Sequence, residues 1–259
     1  LVDCNRRQDA CKGIGRKGQV RPRLERGILT MAGKKTSIGF VALGCAKNTV
    51  DLQVMAGHLL KKGYAAAPSP EEADVVIVNT CAFIESAREE AVDEILRACE
   101  MKKTGRCRAV IVSGCFVQRY RSEMERLFPE VDAFLGIDAL DRISEVVAGT
   151  EKGTLVPPGR AKRVFEPPAA ALRFSGKAFA YLKIAEGCAH RCAFCAIPAI
   201  RGNYRSRPPE SIAAEARELV ATGARELNII AQDPMLYGMD LGMGKRGLVA
   251  LLKELARKS

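Results

Sequence analysis

The sequence predicts an α/β protein in which an open parallel sheet is followed by an incomplete second set of βα units. Three observations lead to this prediction. From Ser37 onward, short and nearly continuous apolar runs alternate with amphipathic stretches, as in parallel sheets covered by helices. Apolar residues make up 47% of the 259 residues, which is enough for a buried core. Finally, no apolar run approaches the roughly 20 residues that cross a bilayer.

The predicted elements of the first half follow one another in strand–helix order. Four hydrophobic runs are predicted as strands: Ile38–Leu43, Val75–Asn79, Ala109–Ser113 and Phe134–Gly136. Four amphipathic stretches are predicted as helices: Asp51–Lys62, Glu85–Met101, Gln118–Leu127 and Asp141–Val147. This order predicts a Rossmann-like open parallel sheet in a domain of residues 34–150.

Residues 151–177 interrupt that order. Four prolines there disfavour regular structure, and basic residues outnumber acidic ones. We interpret the segment as a Pro-rich basic linker, whose charges either contact phosphates or are simply solvated.

The strand–helix order resumes in residues 178–259. Strands at Phe179–Ala185 and Glu226–Ala231, with helices near Pro209–Ala221 and Leu248–Arg257, make two βα units. Two parallel strands cannot enclose a core of their own. We therefore expect this domain to be incomplete.

The chain is basic, with a formal net charge of +11. This charge favours polyanionic surroundings such as RNA or the ribosome without identifying them. Residues 1–30 hold eight Lys or Arg and only three Asp or Glu. Because they lack a hydrophobic period, residues 1–33 are interpreted as a disordered or non-native extension.

Ten cysteines occur without a secretory signal. Such thiols indicate a reducing compartment, the cytoplasm, where they bind metals more often than they form disulfides. Their uneven placement predicts two separate sites. The lack of an apolar run long enough to cross a bilayer predicts no membrane association.

The first candidate site consists of cysteines that each follow a predicted strand and precede a predicted helix: Cys45, Cys81 and Cys115. The carboxyl ends of parallel strands lie along one edge, so these thiols are expected to converge. Nearby helix N-termini should favour the thiolate form. Three thiolates suit a 4Fe-4S cluster with one open iron. Cys99 and Cys107 lack this context and are predicted to be structural.

The second candidate site is a loop in which three cysteines are spaced by three residues and then by two: Cys188, Cys192 and Cys195. Such a loop can hold three corners of a second 4Fe-4S cluster and leave one iron for a small chelating cofactor. Zinc would usually need a fourth Cys or His. His190 lies at an awkward position inside the loop, so a cluster is favoured over zinc.

This spacing after a strand resembles the radical S-adenosylmethionine (SAM) superfamily, and Phe194 occupies the aromatic position before the third cysteine. Further segments resemble the methylthiotransferase family within it: residues 43–51, 79–84, 114–120 and 195–202. Lys47, Arg119, Asp233 and Tyr237 look more like the branch that modifies a ribosomal protein than like the tRNA branches. The family's barrel and its small β-barrel domain continue further, so the chain resembles a C-terminally truncated member with a partial barrel.

The resemblance implies a function for each site. The second cluster would bind SAM and cleave it to a radical that abstracts hydrogen from an unactivated carbon, and the auxiliary cluster would supply the sulfur. Phe194 would lie near the adenine. The substrate would be the β-carbon of an aspartyl residue in a small-subunit ribosomal protein, and the electron donor a flavodoxin or ferredoxin. Gln232 and Asp233 either hold the cofactor or are ordinary polar residues at a strand end.

Two alternatives remain. A tRNA methylthiotransferase would share both clusters, and the basic linker with Arg201, Arg205 and Arg207 would contact RNA. A truncated iron–sulfur protein would bind clusters without turnover, and we expect residues 1–259 alone not to complete methylthiolation because one flank of the barrel is open.

Overall fold

The computed structural model describes residues 35–149, 153–155, 160–167, 172–175 and 178–258. The N-terminal extension, residues 1–33, lies outside the described residues. So does a large part of the segment interpreted as a linker.

The first sheet has six strands, all parallel, in the spatial order β2-β1-β3-β4-β5-β6. Their bounds are β1 Ser37–Ala42, β2 Ala65–Ala66, β3 Val75–Thr80, β4 Ala109–Gly114, β5 Ala133–Leu135 and β6 Gly153–Leu155. The predicted open parallel sheet is confirmed. The order of its first five strands, β2-β1-β3-β4-β5, is that of flavodoxin-like sheets. In such sheets the chain first adds a strand on one side of β1 and then adds the later strands on the other side, starting with β3.

Helices cover both faces of this sheet. Their bounds are α1 Ala46–Lys61, α2 Glu85–Thr104, α3 Cys115–Tyr120, α4 Met124–Leu127 and α5 Ile143–Val147. Val76 and Val78 pack with α2 and α3 on one face, whereas Val75 and Ile77 pack with α1 and α5 on the other. The alternation of side chains along β3 produces two separate hydrophobic cores, as expected for a strand buried on both sides.

Two predicted helix boundaries are wrong. Helix α1 begins at Ala46 instead of Asp51, because the carbonyl of Cys45 already accepts hydrogen bonds from Asn48 N and Thr49 N. The predicted helix Gln118–Leu127 is broken, since Arg121 has φ of +25° and cannot continue the helical hydrogen-bond ladder.

Parts of the segment interpreted as a linker belong to the first sheet and its core. Strand β6 lies in this segment and pairs with β5. This strand was not predicted, because the prolines of the segment disfavour regular structure. The Asp138 carboxylate accepts hydrogen bonds from Lys162 N at 2.7 Å and Arg163 N at 3.0 Å. Phe165 is buried in the core beneath α1 and α5. Ala161 and Phe165 are therefore packed against the sheet domain, whereas Arg160, Lys162, Arg163 and Glu166 are exposed.

The second part of the chain has the predicted βα units. Strands β7 Phe179–Lys183 and β10 Glu226–Ile230 are parallel neighbours, and helices α7 Pro209–Ala221 and α8 Gly247–Lys258 pack beside them. Between these elements lie β8 Ala185–Glu186, the short helix α6 Ile197–Ile200 and β9 Arg205–Ser206, with β8 antiparallel to β9. The partial barrel expected from the sequence is confirmed in the described residues.

Within the described ranges, every helix is too short or too polar to cross a bilayer.

Asp74 fixes the amino ends of three strands. Its carboxylate accepts hydrogen bonds from Ser37 N, Ser37 Oγ and Arg106 Nε at 2.8–3.0 Å, and its carbonyl accepts one from Arg108 N. Burial disfavours the charged carboxylate, but the hydrogen bonds from Arg106 and Ser37 outweigh it and lower the pKa of Asp74 from 3.8 to about 2. The charged form is thus stabilised by folding.

We predict that Asp74→Asn lowers the free energy of unfolding by about 1–2 kcal/mol at pH 7. Because the folded pKa lies below the unfolded one, the stabilisation is complete above about pH 4 and is lost as the pH falls through 2. Urea unfolding of both proteins across this range measures the difference. Glu72→Gln, at an exposed neighbouring position, is the control and should change little. Stability curves that stay parallel down to pH 2 would contradict the assignment.

Candidate functional site

The three cysteines of the first candidate site lie at the carboxyl edge of the first sheet. Cys45 immediately precedes α1, Cys81 follows β3 directly, and Cys115 is the first residue of α3 after β4. In the parallel register, Ala42 faces Asn79 and Thr80 faces Gly114, so the strands end side by side. This edge includes the β1/β3 reversal, which is where sheets of this type bind ligands.

Close backbone packing surrounds these cysteines. Gly44 has φ of +85°, and a Cβ placed on it would lie 2.5 Å from Cys81 Cβ and 2.9 Å from Cys81 Sγ. The loop after β1 thus lies directly against the residue after β3. A glycine is required at position 44 both for the backbone conformation and for this approach.

Burial differs among the three thiols. Cys45 is exposed, whereas Cys81 and Cys115 are buried with 9% and 6% of their surface accessible. Burial raises the pKa of the Cys115 thiol to about 11, although the positive charge of Arg201 opposes this. Desolvation thus opposes the thiolate form that a helix N-terminus was expected to favour at Cys115.

Two asparagines brace the edge, and sequence reasoning did not identify them. Asn48 Nδ2 donates to Leu43 O at 3.0 Å and Thr80 O at 2.9 Å, and Asn79 Nδ2 donates to Asn48 O at 2.7 Å. Asn48 Oδ1 lies 3.7 Å from Cys115 Sγ. The fixed position of Asn48 three residues after Cys45, in the first turn of α1, was the available signal.

Cys99 and Cys107 are separate from this edge. Cys99 lies on the buried face of α2, Cys107 precedes β4 in the same core, and Cys107 Sγ lies 3.3 Å from the carbonyl of Ala109. The prediction that these two cysteines are structural agrees with this packing.

The second candidate site is the loop between β8 and α6. Cys188 and Cys195 are partly exposed, Cys192 is exposed, and 88% of the Phe194 surface is accessible. The base of the loop is fixed because Cys188 N donates to Gly202 O at 3.1 Å. Within the described residues, including both cysteine groups, no three or more His, Cys, Asp or Glu side chains are grouped so that they could hold a metal ion.

The remaining predicted site residues bond within the protein. Gln232 Oε1 accepts a hydrogen bond from Lys47 Nζ, which connects β10 to α1. Asp233 Oδ2 lies 2.6 Å from His190 Nε2, and Asp233 Oδ1 accepts from Met235 N. His190 thus connects the cysteine loop to the end of β10, a contact that its position in the sequence did not reveal.

A buried ionic network lies between the two candidate sites. Lys47 and Asp51 of α1 meet Lys183, Glu186 and Arg201 of the second part, with nitrogen–oxygen distances of 2.8–3.4 Å. Burial lowers the pKa of Lys47 to about 8, although Glu186 opposes it. Burial also disfavours the charged form of Glu186, but the charges of Arg201 and Lys47 outweigh it and lower its pKa.

The suggested RNA contact through Arg201 and Arg207 is wrong. Each has only 1% of its surface accessible, and Arg207 is paired with Glu215. Arg205 is half-buried and donates to the carbonyls of Arg201 and Arg163. These arginines hold the fold together, and buried guanidinium groups cannot neutralise phosphates.

Comparison with known proteins agrees with the geometry. Residues 37–136 match the family described as "Uncharacterized protein family UPF0004", and residues 182–258 match the "Radical SAM superfamily". The chain is 47% identical over 228 residues to the ribosomal protein uS12 methylthiotransferase RimO of Geobacter sulfurreducens, an alignment that covers 87% of this chain and 51% of the relative. The chain is thus similar over most of its length to radical SAM methylthiotransferases.

Other methylthiotransferases give the same result. The proteins of the same name from Symbiobacterium thermophilum and Solibacter usitatus are 48% and 46% identical, with 88% and 85% of this chain covered. The alignments cover 47% and 46% of those relatives. The chain thus spans about half the length of the curated methylthiotransferases that it matches.

We predict that Gly44→Ala destabilises the protein more than Gly63→Ala. Gly63 has a similar φ of +89° but open space around it, so its substitution should cost about 1 kcal/mol of unfolding free energy. Gly44→Ala carries that cost and also forces Cys81 to move, which adds about 1–3 kcal/mol. Urea unfolding of the two variants tests this. Equal losses would show that the close approach to Cys81 is not a constraint.

Proposed function

We propose that this chain is the cluster-bearing part of an enzyme that adds a methylthio group to the β-carbon of an aspartyl residue in ribosomal protein uS12. The observation that carries the proposal is the presence of two three-cysteine groups, one at the sheet edge and one in the loop after β8, joined by a buried ionic network. The relatives that match both halves of the chain carry the name of this activity.

The first group of cysteines fits an auxiliary 4Fe-4S cluster. Cys45, Cys81 and Cys115 provide three thiols at adjacent strand ends, and Arg201 Nε lies 3.3 Å from Cys115 Sγ, where it can donate to a sulfur. Hydrogen bonds to ligand sulfurs are typical of protein-bound clusters. The edge needs no further protein ligand, because one iron remains open for the transferred sulfur.

The second group fits the cluster that binds SAM. Cys188, Cys192 and Cys195 lie on an accessible loop, and the exposed ring of Phe194 is free to stack on an adenine. Gln232 and Asp233 lie at the carboxyl end of β10, the side of a βα unit on which ligands bind. We propose that they contact the cofactor from there.

The bound cofactors would supply hydrogen abstraction from an unactivated carbon and the methylthio sulfur. The chain's own residues position them. The network of Lys47, Glu186 and Arg201 fixes the approach of the two sites, and the close packing of Gly44 on Cys81 holds the loop after β1 against the residue after β3.

The division of labour follows the proposed domains. Residues 34–150 would hold the auxiliary cluster, residues 151–177 would connect, and residues 178–259 would begin the radical SAM barrel. A flavodoxin or ferredoxin in the cytoplasm would supply the electron to a cluster on an exposed loop.

We predict that the chain, reconstituted anaerobically with iron and sulfide, binds two clusters. Replacing Cys45, Cys81 and Cys115 by Ala should halve the iron and sulfide content, and replacing Cys188, Cys192 and Cys195 should do the same. The double variant Cys99→Ala and Cys107→Ala is the control and should keep both clusters. If either triple variant retains the full iron content, the corresponding assignment is wrong.

The substrate is tested in cells. In a strain that lacks the full-length gene, mass spectrometry should show uS12 without its methylthio group and tRNA with unchanged modification. Complementation with the full-length gene should restore the group on uS12. Loss of a methylthio group from tRNA with intact uS12 would replace the proposed substrate by tRNA.

A further inference from the structure

Arg201 has an unusual set of partners. Its guanidinium is buried, and its nitrogens donate to four acceptors: Glu186 Oε1 at 3.0 Å, Asn48 Oδ1 at 2.7 Å, Asp51 Oδ2 at 2.8 Å and Cys115 Sγ at 3.3 Å. Three of these acceptors belong to the sheet domain and one belongs to β8. Because the guanidinium is planar and rigid, its hydrogen bonds fix the relative positions of these groups.

The partners connect the two candidate sites along the chain. Glu186 precedes Cys188 by two residues, and Arg201 follows Cys195 by six, so both flank the radical loop. Asn48 and Asp51 follow Cys45 on α1, and Cys115 is itself a proposed ligand. The Arg201 side chain thus contacts Cys115, a proposed ligand of the first site, and also bonds to Glu186, which flanks the cysteine loop of the second site.

The charges of the network are not balanced. Its cations are Lys47, Lys183 and Arg201, and its carboxylates are Asp51 and Glu186. Burying an excess charge is costly unless a partner is present. The atom that Arg201 Nε faces is Cys115 Sγ, and a sulfur that ligates iron is anionic. A cluster bound there would supply the missing negative charge.

We infer that Arg201 is a positioning residue of the auxiliary site, which sets the reduction potential of its cluster through Cys115 and links that site to the radical loop. This inference rests on the proposed cluster ligation. Donation from a cationic group to a ligand sulfur stabilises the reduced cluster and raises its potential.

A matched control is available in the same segment. Arg207 is as fully buried as Arg201 and is also paired with carboxylates, Glu215 and Glu166. The other described hydrogen bonds of its side chain go to Ser211 and to the carbonyl of Lys183. Removing Arg207 therefore disturbs a buried ionic network of similar kind without touching Cys115.

The experiment uses the full 259-residue chain with Cys188, Cys192 and Cys195 replaced by Ala, so that only the auxiliary cluster forms. Iron content and the reduction potential, from a dithionite titration followed by electron paramagnetic resonance, are measured for the parent and for Arg201→Gln, Arg201→Lys and Arg207→Gln. We expect a more negative potential in Arg201→Gln, a partial return in Arg201→Lys, which keeps the charge, and the parent's potential in Arg207→Gln.

Loss of iron from Arg201→Gln alone, with the unfolding midpoints of both Gln variants equal, supports the inference. An unchanged potential in Arg201→Gln, or an equal change in Arg207→Gln, overturns it while leaving cluster ligation intact. If Cys115→Ala does not lower the iron content of the parent, the proposed auxiliary site fails and the inference fails with it.

Discussion

The parallel register of β1, β3 and β4 determines where the chemistry of the first half is located. Strands that run in the same direction and end together place the residues after them on one edge, however far apart they are in sequence. Cys45, Cys81 and Cys115 follow neighbouring strand ends for this reason, and Gly44 is needed because the loop after β1 lies against Cys81. Any change that shifted this register would displace all three residues along the edge.

Helix α1 connects the first sheet to the second part of the chain. One of its faces packs Leu52 and Leu59 into the core of the sheet. Its other contacts, through Lys47 and Asp51, are buried against β7, β8 and Arg201. The face of α1 that carries Lys47 and Asp51 is polar, like the outer face of a surface helix, but it is buried. Its charges are therefore paired with other side chains and not with water.

The sequence predicted what is local or repeated. Continuous apolar runs identified β3 and β4 to within a residue, and they placed Cys115 directly after β4 and Cys107 before it. Long-range pairing was beyond its reach: the partners of Arg201 lie up to 153 positions away, so a basic side chain in a loop looked available to RNA. Strand β6 was missed because a three-residue strand beside prolines has no periodicity to detect.

The polar face of α1 also has a consequence for the order of folding. The sheet domain is synthesised first, and until β7 and β8 emerge, Lys47 and Asp51 have water as their partner. The nascent domain thus presents a charged surface there, which protects it from association with other chains. Docking of the second part removes that water, and the arriving Lys183, Glu186 and Arg201 replace it with ionic contacts. A docking surface of this kind selects its partner by charge, because an apolar or mismatched surface would leave those groups unpaired.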